Sequence, residues 1–188
     1  MSGIPVDSFR DGGKNTSRRE SEAGASREVV GTMRKPYLLI SAAWLLHFVA
    51  WFLPVIKPGE FRPAIPGWQA FRYAACGVWA CKGVQFDAWY YAVLSTISAI
   101  TTLFFILASP WVVLRGSSSL RRGFAWAAAT AFIFNAHWIV IFGSERSELT
   151  TGYFLWWCSF LLLAIGLFGL AGGNRTEAAQ RQITPLSG

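Results

Sequence analysis

Residues 123 to 143 read GFAWAAATAFIFNAHWIVIFG. This run is apolar, long enough to cross a bilayer, and carries Asn135 and His137 inside it. An apolar segment of about 18 residues or more reads as a transmembrane helix. Polar and ionisable side chains are costly in hydrocarbon, so Asn135 and His137 are functional candidates by default.

Three further runs of the same kind flank it, and the expected spans are about 37–56, 88–114, 123–143 and 153–172. The chain has 188 residues, of which 53% are hydrophobic and 14% charged. A soluble domain carries about 25% charged residues. The expected fold is therefore an all-α membrane protein, four transmembrane helices in an antiparallel bundle over 37–172. Residues 1–36 are polar and without apolar periodicity, and are expected to be a disordered cytoplasmic tail. Residues 173–188 form a second polar cytoplasmic tail. Neither a twin-arginine signal at Arg18-Arg19 nor a cleavable signal peptide fits the charge and apolar pattern.

The net charge of +7 would point to nucleic acid in a soluble protein. Here the basic residues flank the spans, and the positive-inside rule accounts for them. Twelve lie in the N-terminal tail, the 115–122 turn and the C-terminal tail, against five in the loops 57–87 and 144–152. Both termini are expected in the cytoplasm of a bacterium, with the protein in its inner membrane. The expected partners are the lipid bilayer and a protein partner or second copy, with no nucleic acid.

The first external loop, 57–87, is about thirty residues long and is punctuated by Pro58-Gly59 and Pro66-Gly67. Trp68, Phe71, Ala75 and Trp79 recur in it at helical spacing, which predicts a short amphipathic helix on the membrane face. Cys76 and Cys81 lie in this loop, where an oxidising exterior favours a disulfide. If one helix ran through both, they would diverge by about 140° at 100° per residue, which disfavours the bond. Cys158 falls in the fourth span and is expected to be inert packing.

Membrane helices associate by close packing and interhelical hydrogen bonds. Gly123, Ala127, Ala131 and Asn135 form a small-residue stripe at spacing four, expected to meet another helix with Asn135 bonded across it. Gly166, Gly169 and Gly173 offer a similar close approach on the fourth span. Ser95, Thr96, Ser98, Thr101 and Thr102 make the second span rich in hydroxyls that would bond back to their own helix or to Asn135.

The chain has two histidines, His47 and His137, both placed within spans. Counted from the inner ends they differ by about four residues, roughly 6 Å of rise. That puts them at similar depth within the precision of the boundaries. Histidines on two helices of a four-helix bundle are what a b-type haem needs for its axial nitrogens. A quinone or proton-relay role would use the same pair. The small-residue stripe, however, ends about 200° round the helix from His137 at 100° per residue, on the wrong face for a macrocycle. The competing expectation is that each histidine bonds a nearby hydroxyl or carbonyl and serves packing alone. No nucleotide loop, metalloprotease helix or nucleophile elbow is present, and no acidic residue falls within a span, although Asp87 borders one.

The sequence GWQAFRYAACGVW, following Trp51-Phe52-Leu53-Pro54, resembles a pattern in small uncharacterised bacterial membrane proteins with four spans, a resemblance that implies no activity. The layout of four spans with a larger first external loop also resembles the claudin-like tetraspan proteins. Trp68 and Gly77-Val78-Trp79 with Cys81 are similar to their Trp, Gly-Leu-Trp and Cys signature. The departures are a shorter loop, a cysteine at 76 before the tryptophan motif, and none after Cys81, so no function is carried over. The leading expectation is a non-enzymatic membrane protein that acts by binding a partner, through the loop or the small-residue faces. The rivals are a haem b or quinone-linked redox protein using His47 and His137, and a subunit of a transport assembly with Ser98 and Thr102 along its path.

Overall fold

The structure is a computed structural model that describes residues 35–59, 63–79 and 89–183, of which 78–79, 144–146 and 174–183 are described as backbone alone. The expected disordered tail therefore lies outside the described residues, apart from its last two. Four helices are long and apolar enough to cross a membrane: Lys35–Phe52, Trp89–Arg115, Ser118–Phe142 and Thr151–Gly173. We call the first α1 and number the rest in chain order.

After α1 (Lys35–Phe52) comes β1 (Pro54–Ile56), then β2 (Ile65–Pro66) and α2 (Gly67–Trp79). The second span is α3 (Trp89–Arg115), which runs on through Pro110 instead of ending there. The third span is two helices, α4 (Ser118–Asn135) and α5 (His137–Phe142), interrupted at Ala136. A 3-10 turn (Gly143–Glu148) leads to α6 (Thr151–Ile183).

Three boundaries differ from the sequence reading. Residues 54–56 leave the helix and pair as a strand, because Pro54 has no amide to continue the helical ladder. The break at Ala136 was not expected at all. And α6 continues to Ile183 through what was read as an unstructured tail. That extension is rich in Ala, Glu, Gln and Arg, all good helix formers.

The core is built where α1, α3, α4 and α6 meet. Phe105 and Val112 of α3, Phe160, Leu163 and Leu167 of α6, and Ala43 of α1 are all buried in it. Small residues let the axes approach: Ala125, Ala128 and Ala131 of α4 face this core, and α4 packs chiefly on α6. On α6, a side chain at Gly166 would meet Ile40 Cγ1 at 2.6 Å and Pro36 O at 3.1 Å. Thus the middle of α6 lies against the start of α1, while Gly152 near the start of α6 lies against Pro54. The outward faces are apolar on every span: Leu45, Leu107, Ile133 and Leu161 are all exposed. Exposed leucine and isoleucine on all four sides suit a lipid solvent.

At one end the connections form a cap around β1. On one side β1 pairs antiparallel with β2, and the Gly67 amide donates to Leu53 O at 3.0 Å. On the other, Lys57 N donates to Glu148 O at 2.9 Å and Thr150 N to Val55 O at 3.1 Å. The Thr150 hydroxyl also donates to Pro54 O. Both connections at this end are thereby laced to a single strand. Helix α2 then packs flat on α3, where Gly77 leaves no room: a Cβ there would meet Ala92 O at 2.5 Å and Thr96 Oγ1 at 2.7 Å.

Candidate functional site: a broken helix beneath an aromatic chamber

The interruption of the third span lies at Asn135 and Ala136. A break frees main-chain carbonyls, and in a dry environment each needs another donor. Three side chains supply them. Trp157 Nε1–H donates to Phe132 O, the Tyr153 hydroxyl donates to Asn135 O, and His137 Nδ1–H donates to Phe134 O, each at 2.7 Å. Two of these donors come from α6, so the break is held from across the bundle.

The Asn135 side chain is fully buried and fully engaged. Its carbonyl accepts from Ser98 Oγ at 2.7 Å. Its amide donates to Thr101 Oγ1 at 3.1 Å and to Ala131 O at 2.8 Å. The Ser98 hydroxyl in turn accepts from Trp138 Nε1–H at 3.2 Å. Thr102 donates to Ser98 O at 3.1 Å and accepts from Trp156 Nε1–H at 3.1 Å. This is a closed network in which each polar group strengthens the next in a low dielectric.

Above the network, towards the cap, lies a chamber of about 220 Å³. Ser98, Thr102 and Tyr153 sit at its floor, Trp51, Trp138 and Trp156 form walls, and Ala70, Phe71 and Ala74 of α2 form a roof. Phe71 also packs on Trp51, with ring centroids 5.3 Å apart. Trp68, in contrast, is exposed on the outer side of α2. The side chain of Trp79 lies outside the described residues.

His47 is buried on α1, with its ring stacked on Phe105 at 4.2 Å. Its Nδ1 is 2.9 Å from Ser159 Oγ, and that hydroxyl donates to Trp156 O at 2.5 Å. The serine proton is thus engaged, so Nδ1 carries the imidazole proton and donates. Nε2 is left as a buried acceptor without a partner, and so is Nε2 of His137. A metal ligand would have this tautomer, with Nδ1–H fixed by an oxygen and Nε2 bare.

The structure does not bring the two histidines together. His47 lies against Phe105 and Phe160, while His137 lies against Phe134 and Trp138. Two axial ligands of one iron need their Nε2 atoms on opposite sides of a single gap, and Phe105 and Phe160 fill the space beside His47. Among the described residues no three His, Cys, Asp or Glu side chains converge.

The small-residue stripe also sits differently. Gly123 is exposed with nothing near it, and Ala127 is half-buried. The buried face of α4 instead runs Phe124, Ala128, Ala131, Asn135. A strict spacing of four precesses by about 40° per step, whereas alternating three and four stays on one face. Gly169 lies against Pro36, and Gly173 is open. Cys76 is disulfide-bonded, Cys81 lies outside the described residues, and Cys158 is an exposed free thiol.

The donors from Trp138, Tyr153, Trp156 and Trp157 have no place in the sequence reading, because an aromatic side chain near a span end does not show there which acceptor it will meet. The available signal was four aromatic N–H or O–H donors placed at the level of a hydroxyl-rich neighbouring span. No family model, no curated protein and no solved structure matches this chain.

Proposed function

We propose that the chain is a non-enzymatic membrane protein that acts by binding a protein partner at its cap. Its spans form an antiparallel four-helix bundle in a bacterial cytoplasmic membrane, with both termini inside and the cap outside. The basic residues concentrated at the opposite end support that orientation. A Cys76–Cys81 bridge would close the end of α2 in such an exterior.

The observation that carries the reading is the cap itself. Both connections are fixed to β1 by main-chain bonds, so the surface they present is ordered before any partner arrives. Preorganised surfaces lose less on binding. That surface shows Trp68 and Tyr73 beside Lys57 and Arg72, all exposed. Aromatic and arginine side chains are the usual anchors of an interface. The complementary partner is a protein face carrying carboxylates next to apolar side chains.

The rival readings draw less support. The hydroxyls of Ser98 and Thr102, which a transport path would use, are engaged within the Asn135 network. His47 packs on Phe105 and Phe160 and His137 on Phe134 and Trp138, which lends less support to a cofactor held between them. A photo-reactive residue at Trp68 tests the proposal in living cells, with one at the lipid-facing Leu107 as control. A protein adduct of one discrete mass at 68 and none at 107, lost on R72E, is expected. Lipid adducts alone at both positions would refute it.

A further inference from the structure

We propose that the chamber beneath α2 is a binding site for an uncharged amphiphile, an apolar chain carrying one hydroxyl or carbonyl group. Tyr73 belongs both to its lining and to the exposed surface around Trp68, but the inference stands without that reading.

Ser95 is the observation that gives the chamber a ligand. It is 5% exposed and lines the chamber. Among the described residues it makes no hydrogen bond, although a serine in a helix commonly bonds back to the carbonyl four residues before. Thr96, the next residue, does so, donating to Ala92 O at 2.9 Å. The Ser95 hydroxyl is open to the chamber it lines, where a ligand oxygen can accept its proton. The other polar groups at the floor have their protons engaged within the protein. Ser98 donates to Asn135, Thr102 to the Ser98 carbonyl, and Tyr153 to the Asn135 carbonyl. Of the α3 hydroxyls that line the chamber, Ser95 alone keeps its proton free, so it is the group that a ligand oxygen would meet.

The rest of the lining sets the chemistry of the ligand. Among the described residues it contains no Lys, Arg, His, Asp or Glu. An ion taken into such a place would have no counter-charge, which is prohibitively costly. Carboxylates and phosphate headgroups are thereby disfavoured, and neutral heads are admitted. The walls are indole and phenyl rings with alanines between them, a surface for hydrocarbon or a ring. An apolar protein cavity of about 150 Å³ holds a benzene ring. The chamber, at about 220 Å³, thus takes roughly ten carbon atoms.

Tryptophan fluorescence reads occupancy directly, because Trp51, Trp138 and Trp156 line the chamber and a bromoalkyl chain quenches nearby indoles. The probe is 10-bromo-1-decanol, titrated into the full chain in lipid nanodiscs, with 10-bromodecanoate at pH 9 as the charged counterpart. The alcohol should give a saturable quench above the linear quench of the lipid-facing tryptophans. Ala99→Phe fills the chamber from α3 and Ala70→Phe fills it from the roof. Each should abolish the saturable part while leaving the linear part. Ser95→Ala should weaken the alcohol roughly threefold to tenfold. Equal quenching by alcohol and carboxylate would overturn the neutral-ligand assignment. No saturable quench, or one that survives in whichever filled variant keeps the wild-type circular dichroism, would overturn the site.

Discussion

Asn135 ties three helices together through one side chain and one carbonyl. Its amide and carbonyl reach Ser98 and Thr101 on α3, and its main-chain oxygen receives Tyr153 from α6. Asn135→Ala leaves Ser98 without its acceptor and frees Thr101. The expected loss is about 1–2 kcal/mol, read from unfolding in mixed detergent micelles, since single polar contacts between membrane helices are individually modest. An unchanged midpoint would mean that the network is not carrying the break. For His47 the expectation is the reverse. Its ring packs between Phe105 and Phe160 and one nitrogen is unsatisfied, so His47→Phe should cost less than about 1 kcal/mol by the same assay. The purified protein should show no Soret band before or after dithionite. A band that sharpens on reduction and vanishes in His47→Phe would restore the histidine pair as ligands. The sequence marked both histidines and Asn135 as residues out of place in hydrocarbon. It also offered the hydroxyls of the second span as partners for Asn135, and Ser98 and Thr101 are those; what it could not tell was that His47 meets the Ser159 hydroxyl and His137 the Phe134 carbonyl.

At the scale of elements, the spans were legible and their ends were not. Mean hydropathy identifies a run of apolar residues, and all four runs are helices. It does not register where main-chain bonds leave the helix, as at Pro54 and Ala136. The short helix of the first loop was visible through Trp68, Phe71 and Ala75 at helical spacing, and it stands as α2. Its packing was not visible, since it rests on α3 through a glycine. Gly77 is therefore the sensitive point of this element. Gly77→Val would drive a branched side chain into the Ala92 carbonyl and the Thr96 hydroxyl, and the helix must lift. We expect amide exchange across α2 to rise by at least tenfold with the spans unaffected, because stability is local and α3 is the main seat of α2. Equal protection in the variant would show that α2 has another anchor. The strand pairing that closes the cap had no sequence signal at all, because β1 and β2 offer five residues, two of them prolines.

For the whole molecule, the proposed orientation places both termini in the cytoplasm, on the count of Lys and Arg flanking the spans. Reporter fusions at either end should be active only as cytoplasmic reporters, and a cysteine at position 68 should react with an impermeant maleimide in intact cells. The opposite pattern would invert the orientation and place the cap inside. Both the partner surface and the chamber depend on the cap being one fixed body, laced across β1. Hydrogen exchange in nanodiscs tests that most directly, at the amides of Lys57, Gly67 and Thr150, which donate to Glu148, Leu53 and Val55. All three should exchange at least a hundredfold slower than an unstructured chain, and together, since they belong to one cooperative unit. Exchange of any of them at the unstructured rate would contradict a preformed cap, and with it the surface proposed to meet the partner.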